Sequence, residues 1–266
     1  LTYEHICNGL CEVEESIEGL SFCPRKFICN DKMIIDIRHM EFFIHLQDLN
    51  LAFNAIEDIR PLQKLTLLQK LDCSFNQISE IPNVTWPFLV YLNLNDNRIT
   101  KLPKMSQPIL QILCLNHNLI SSLVDEEGAY LLEEDALPRL HTIELRGNRL
   151  STSLPNFAEP EKNPPDLSIY LRRIGFSHSG LKMLVMAENS LSSLAAVYHP
   201  PEEEDESILK LNPLGSRMGL VPGLVVLHLR KNGIKHLHGF TAVCFASLEY
   251  LNLRYMLTTS TVDTPA

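Results

Sequence analysis

The chain has 266 residues, of which 45% are apolar, 21% charged and 7% aromatic, enough apolar character to bury a core and too much for a disordered chain. Its net charge of −9 argues against general binding of nucleic acid or of an anionic membrane surface, since both need a basic face. No uninterrupted apolar run is long enough for a spanning helix.

The opening segment, LTYEHICNGLCEVEES, carries neither the basic start nor the apolar stretch of a secretory signal. Ile6, Leu10 and Val13 recur at helical spacing and predict a helix within residues 1–30, laid over the end of the following fold. Four of the seven cysteines (Cys7, Cys11, Cys23 and Cys29) fall here. Free thiols suit their spacing best, because only the first pair is as close as zinc ligands usually are; a disulfide-bonded cap is the other alternative. Met33, Ile35 and Ile37 then alternate in strand fashion and predict a partial repeat. Residues 1–32 therefore read as an N-terminal extension or cap. The sequon at Asn83-Val84-Thr85 is a single match, of the kind chance supplies in a chain this long.

From Leu46 onward one frame dominates. Leu-x-x-Leu-x-Leu-x-x-Asn-x-Leu/Ile occurs seven times, starting at Leu46, Leu68, Leu89, Leu110, Leu140, Leu181 and Leu224. An eighth copy starts at Leu248 but has Met256 where the asparagine belongs. The frame resembles the leucine-rich repeat, which implies an α/β solenoid with a curved parallel β-sheet on its concave face. The middle of each copy alternates like a short strand, so Leu49 and Leu51 point inward while Asp48, Asn50 and Ala52 point out. Ile59 and Leu102 are placed to close the core on the return path. Asn54, Asn76, Asn97, Asn118, Asn148, Asn189 and Asn232 sit at strand ends, where an amide side chain satisfies backbone groups of two adjoining turns. These asparagines read as structural.

The asparagines are separated by 22, 21, 21, 30, 41 and 43 residues. The first three gaps leave no room for a full helix per repeat. The longer gaps read as insertions at about 124–138, 155–179 and 198–222, the last with the acidic run Glu202 to Glu206 as a solvated segment. The repeat domain spans 33–257 and a polar tail 258–266. Leu248, Leu251 and Leu253 of the last copy precede that tail, so this edge is expected to need a covering neighbour.

Chemistry-bearing motifs are missing. There is no glycine-rich phosphate loop, nucleophile elbow or H-E-x-x-H pair. His228 lies on an outward strand position and His236 and His238 follow in the turn, near Cys244 in sequence, an arrangement of surface histidines. Asp72 and Glu144 occupy equivalent outward positions three repeats apart, roughly 14 Å at ordinary strand spacing, too far for a hydrolytic pair. No enzyme activity, cofactor, metal or small-molecule substrate is expected. The outward columns are free of core duty and carry a pattern instead. Tyr91, Ile112, Met183, Val226 and Tyr250 place apolar groups on the concave face, and Arg146, Arg230, Lys231 and Arg254 make its C-terminal half basic. Apolar anchors beside arginines predict a protein-binding surface.

The stretches at 33–68, 140–154 (LHTIELRGNRLSTSL), 181–194 (LKMLVMAENSLSSL), 227–240 (LHLRKNGIKHLHGF) and 247–254 (SLEYLNLR) resemble the leucine-rich repeat proteins of ciliary radial spokes. That resemblance implies a structural scaffold of the axoneme in the cytoplasm of a cilium or flagellum, in the head region of the third spoke. Its implied partners are radial spoke head and other axonemal proteins. The long insertions and the C-terminal end depart from that family's pattern. A regulatory subunit that targets a phosphatase or similar enzyme, and a secreted recognition domain, are the alternative uses of such a surface.

Overall fold

The computed structural model describes residues 1–15, 22–123, 131–132, 134–150, 180–191, 223–234 and 245–255. The chain begins with a helix, α1 (Tyr3–Gly9), whose N-terminus is closed by reciprocal bonds between Thr2 and His5. Two antiparallel strands follow, β1 (Leu10–Glu15) and β2 (Phe22–Ile28). The expected helix is thus only seven residues long, because Leu10 and Val13 belong to β1. Gly9 lets this cap lie close: a Cβ there would come within 2.6 Å of the Phe27 ring. Glu12, Glu14 and Glu15 line β1, and charge on an edge strand discourages pairing with another chain.

β2 is also the first parallel strand of the solenoid. Phe27 lies opposite Leu49, so Phe27, Cys29 and Ile34 hold the sites of Leu49, Leu51 and Ile56, and Lys32 stands where later coils have asparagine. The alternation at Met33, Ile35 and Ile37 does not mark a strand. Met33 and Ile35 are exposed while Ile34 and Ile37 are buried, because this stretch is the return path of the first coil and runs into a 3₁₀ turn at Arg38–Phe42.

Each later copy of the frame supplies three residues of strand. These are β3 (Asp48–Asn50), β4 (Lys70–Asp72), β5 (Tyr91–Asn93), β6 (Ile112–Cys114), β7 (Thr142–Glu144), β8 (Met183–Val185), β9 (Val226–His228) and β10 (Tyr250–Asn252). The strands lie in chain order in one open sheet, parallel from β2 onward and in register copy against copy. The frame leucines from β3 to β9, Leu49, Leu71, Leu92 and Leu113 among them, are buried, those of the last copy (Leu248, Leu251 and Leu253) only partly, and Ile59 and Leu102 close the core opposite, as the pattern requires. Burying one such side chain contributes roughly 1.5–3 kcal/mol, and one cluster of them runs from Phe27 to Phe245.

Two devices end each strand. The residue after the seventh frame position is left-handed in every described coil: Asp31, Phe53, Phe75, Asp96, His117, Gly147, Glu188, Lys231 and Tyr255, with φ between 53° and 66°. The asparagine after it then binds two coils. Asn76 Nδ2 donates to Leu51 O of the preceding coil and to Cys73 O and Ser74 O of its own, while its Oδ1 accepts from Ile56 N. The same pattern holds at Asn54, Asn97, Asn118, Asn148 and Asn189, and Asn232 likewise joins Met186 O, Leu229 O and Leu191 N. With no asparagine at Lys32, Asn54 Oδ1 accepts from both Lys32 N and Ile34 N.

The convex side is built from short turns, including a second 3₁₀ turn at Arg60–Lys64. Trp86 is buried there, its indole donating to Leu62 O at 3.1 Å, and the buried amide of Gln107 accepts from Trp86 N and donates to Val84 O. Within the expected insertion at 124–138, Leu131, Leu132 and Leu137 are buried in the core, and Leu131 O and Ala136 O accept from Met105 N and Gln107 N. The segments 155–179, 198–222 with Glu202–Glu206, and 258–266, together with His236, His238 and Cys244, lie outside the described residues.

Candidate functional site

The outward columns of β3–β10 form the concave face, and curvature crowds them. Ala52, Ser74, Asn93 and Cys114 point outward yet are less than a tenth exposed. Outward does not mean solvated here, as Ala52 shows. The N-terminal half of the face is a network of side chains bonded to each other. Asp72 accepts from Ser74 N, Ser74 Oγ and Asn93 Nδ2, and Asn116 Nδ2 donates to Glu144. Burial, with the Cys114 thiol beside it, pushes the Tyr91 phenol up to about 12. Burial and the Glu144 charge raise Cys114 itself to about 12, so the thiol stays protonated.

Along the C-terminal half the predicted residues come together differently from the sequence reading. Ile112, Met183 and Val226 are half-buried at the third positions of β6, β8 and β9, with Thr142 of β7 between the first two, and Tyr250 on β10 is half exposed. His228 tilts against the Tyr250 ring with centroids 5.1 Å apart, and burial followed by the Arg230 charge lowers its pKa. Arg146 and Arg230 lie just past the ends of β7 and β9. Lys231 is one residue further, on the left-handed turn rather than on the sheet face. All three cations converge on one carboxylate oxygen. Glu188 Oε1 lies 3.0 Å from Arg146 Nη2, 3.2 Å from Arg230 Nη2 and 3.0 Å from Lys231 Nζ. Hydrogen bonds from Arg146 and then Lys231 hold the Glu188 carboxyl at about 2, far below its ordinary range. Arg254 follows one coil on, exposed.

Glu188 is the residue that sequence reasoning missed. It occupies the same frame position as Lys231, so tabulating the column after the seventh would have found it. That column also stacks Phe53 on Phe75, ring centroids 4.2 Å apart and 8° from parallel, both about half exposed. The doubled letters of LAFNAI and CSFNQI were the available signal.

Asp72 and Glu144 are tied to neighbouring amides and do not converge. Among the described residues, Cys7, Cys11, Cys23, Cys29, Cys73 and Cys114 form no disulfide, so the alternative of a disulfide cap is not formed. Among the described residues no cluster of His, Cys, Asp or Glu has the geometry to hold a metal ion, and no helix is long and apolar enough to cross a membrane.

The sequence pattern of the family "Leucine Rich repeats (2 copies)" matches at residues 44–86 and again at 66–107, the coils with the most regular frame and ladder. This is a leucine-rich repeat protein. Solved leucine-rich repeat structures share its fold at low identity. The leucine-rich repeat domain of APL1B is 20% identical with a TM-score of 0.52, over 83% of this chain and 50% of that one. The ectodomain of the receptor kinase GASSHO1/SCHENGEN3 from Arabidopsis thaliana, in complex with CASPARIAN STRIP INTEGRITY FACTOR 2, is 19% identical with a TM-score of 0.51, over 86% and 23%. TLR13 from the TLR13-ssRNA13 complex is 19% identical with a TM-score of 0.53, over 82% and 26%. The leucine-rich repeat chain spans half or less of the length of each of these structures. No curated protein matches it.

Proposed function

We propose that this leucine-rich repeat protein is a non-enzymatic scaffold that binds a protein partner on the C-terminal half of its concave face. The observation that carries the reading is the third-position row of Met183, Val226 and Tyr250 together with Arg146, Arg230 and Arg254 past the ends of the strands and Lys231 on the turn that follows, in a chain whose net charge is −9. Arginines bond carboxylates bidentately, and the apolar neighbours lose water at little polar cost. The partner that fits is a protein segment with acidic groups around an apolar or aromatic side chain. The groups on this face that resemble catalytic machinery are otherwise engaged: Asp72 and Glu144 accept from neighbouring side chains, and the Cys114 thiol is held protonated.

The resemblance at 33–68, 140–154, 181–194, 227–240 and 247–254 supports a finer assignment. In that assignment the chain is a component of the ciliary or flagellar axoneme, in the head of the third radial spoke, of the kind represented by leucine-rich repeat-containing protein 23. The test is incorporation. The double substitution Arg230→Glu, Arg254→Glu keeps the frame leucines and the asparagine ladder, so the chain folds, and it should fail to remain in salt-washed axonemes. Retention of the folded double variant would remove this face from the contact.

A further inference from the structure

Among the described residues, the cations of this cluster use few of their donors. Arg146 and Arg230 each engage Glu188 through one guanidinium nitrogen, and Lys231 through its single ammonium, although a guanidinium carries five N–H donors and an ammonium three. Arg146 Nε is buried with no hydrogen-bond partner. The backbone fixes the group: Glu188 N donates to Arg230 O at 2.8 Å, Arg146 N to Asn116 Oδ1 at 2.8 Å, and Lys231 N to Arg254 O at 3.0 Å. Three cations around one carboxylate leave a net charge of +2, with half-buried Met183 and Val226 at the third frame positions of the Glu188 and Arg230 coils.

We infer that Arg146, Arg230 and Lys231 form a receptor for a phosphomonoester dianion, a phosphorylated serine or threonine on the partner segment, with Glu188 holding the three cations together until it arrives. The inference rests on the protein-binding reading above and names the group that is recognised. Charge selects the ligand. A single carboxylate can reach the same unused donors, but it brings one negative charge and leaves the cluster net positive. A phosphate at neutral pH carries close to two negative charges on oxygens that accept from several donors at once. It neutralises the cluster while Glu188 keeps its own bonds.

The test uses three probes that share a phenyl ring and differ in the anionic head. Phenyl phosphate is a dianion near pH 7.5, whereas phenyl sulfate has the same tetrahedral head with one charge and benzoate is a carboxylate. Titrated against the full chain by calorimetry, phenyl phosphate should bind at least about tenfold tighter than either monoanion, the difference expected for one further charge-assisted contact. Arg146→Gln and Arg230→Gln should each remove most of that preference. Lys231→Asn serves as a second variant that spares the fold, because asparagine tolerates the left-handed backbone at this position. Equal binding of phenyl phosphate and phenyl sulfate, or a preference unchanged in all three variants, overturns the inference. Phosphatase treatment of axonemal extracts separates it from the broader reading. Retention lost after treatment supports the phosphate receptor. Retention that ignores treatment but is lost in Arg230→Glu, Arg254→Glu overturns it and leaves the scaffold reading standing.

Discussion

The asparagine ladder predicts a coupling that a list of separate contacts would miss. Asn97 Nδ2 donates to Cys73 O, Leu94 O and Asn95 O, and its Oδ1 accepts from Ile78 N at 3.0 Å. Each of those carbonyls has a second donor: Asn76 Nδ2 on Cys73 O, Asn118 Nδ2 on Leu94 O and Phe75 N on Asn95 O. Asn97→Ala therefore strands only the Ile78 N–H outright. That orphan costs about 1–3 kcal/mol, and the lost donations bring the total to about 3 kcal/mol. Asn118→Ala strands Ile99 N in the same way. Removing both leaves Leu94 O with no donor, an additional penalty of about 1–3 kcal/mol that neither single variant shows. Asn76 and Asn118 share no carbonyl, so their double variant should be additive within about 0.5 kcal/mol. Urea unfolding of all variants in a fixed concentration of trimethylamine oxide, which keeps the weaker ones folded, measures both cycles. Additive losses for Asn97 with Asn118, or equal coupling in the control pair, would refute the shared-carbonyl account.

Leu94→Ala should cost about 2–5 kcal/mol, since it empties a fully buried site with coils on both sides, while exposed Lys70→Ala should stay within about 0.5 kcal/mol by the same melts. Asn93, although outward, is no neutral control, being buried and bonded to both Asp72 and Asn95 N. Acid titration of stability should expose Glu188. Its carboxyl is held at about 2 in the fold, below its unfolded value near 4.5, so its contribution is present above that value and is lost as the pH falls toward 2. Glu188→Gln should flatten that limb of the curve, and an unchanged limb would show that the three cations do not surround it in solution.

The regular half of the fold was legible because two periods coincide there, the alternation of a strand and the fixed step to the asparagine. Both survive in every coil from β3 to β9. The first coil hides them. Phe27 and Cys29 replace leucines and Lys32 replaces the asparagine, while exposed Met33 and Ile35 supply a false alternation; the true buried pair, Ile34 and Ile37, is three residues apart. The candidate site was half legible for a related reason. Which residues share the concave face follows from the frame, so Arg146, Arg230 and Arg254 were found. What they do to each other depends on contacts between coils, 42 residues apart in sequence for Glu188 with Arg146 and with Arg230. The frame gives the column but not the charge pairing across it.

The column after the seventh position also predicts a coupling of the opposite sign. Phe53 and Phe75 sit there with φ of 57° and 54°, a region that costs an ordinary side chain roughly 1–2 kcal/mol and asparagine less. Substituting each by asparagine therefore isolates the rings without adding backbone strain. Phe53→Asn removes that ring's partial burial together with the face-to-face contact at 4.2 Å. Phe75→Asn removes its own burial and the same contact. Because one contact is deleted by either change, the double variant should lose less than the sum of the singles, by about 0.5–1.5 kcal/mol. The ladder pair Asn97 and Asn118 must show the reverse, a double loss exceeding the sum, since there the contact is backed up rather than shared. Urea melts of the two phenylalanine singles and their double decide the point. Strict additivity would mean that the rings do not stack in solution, and that each holds its left-handed site for a reason unconnected with the other.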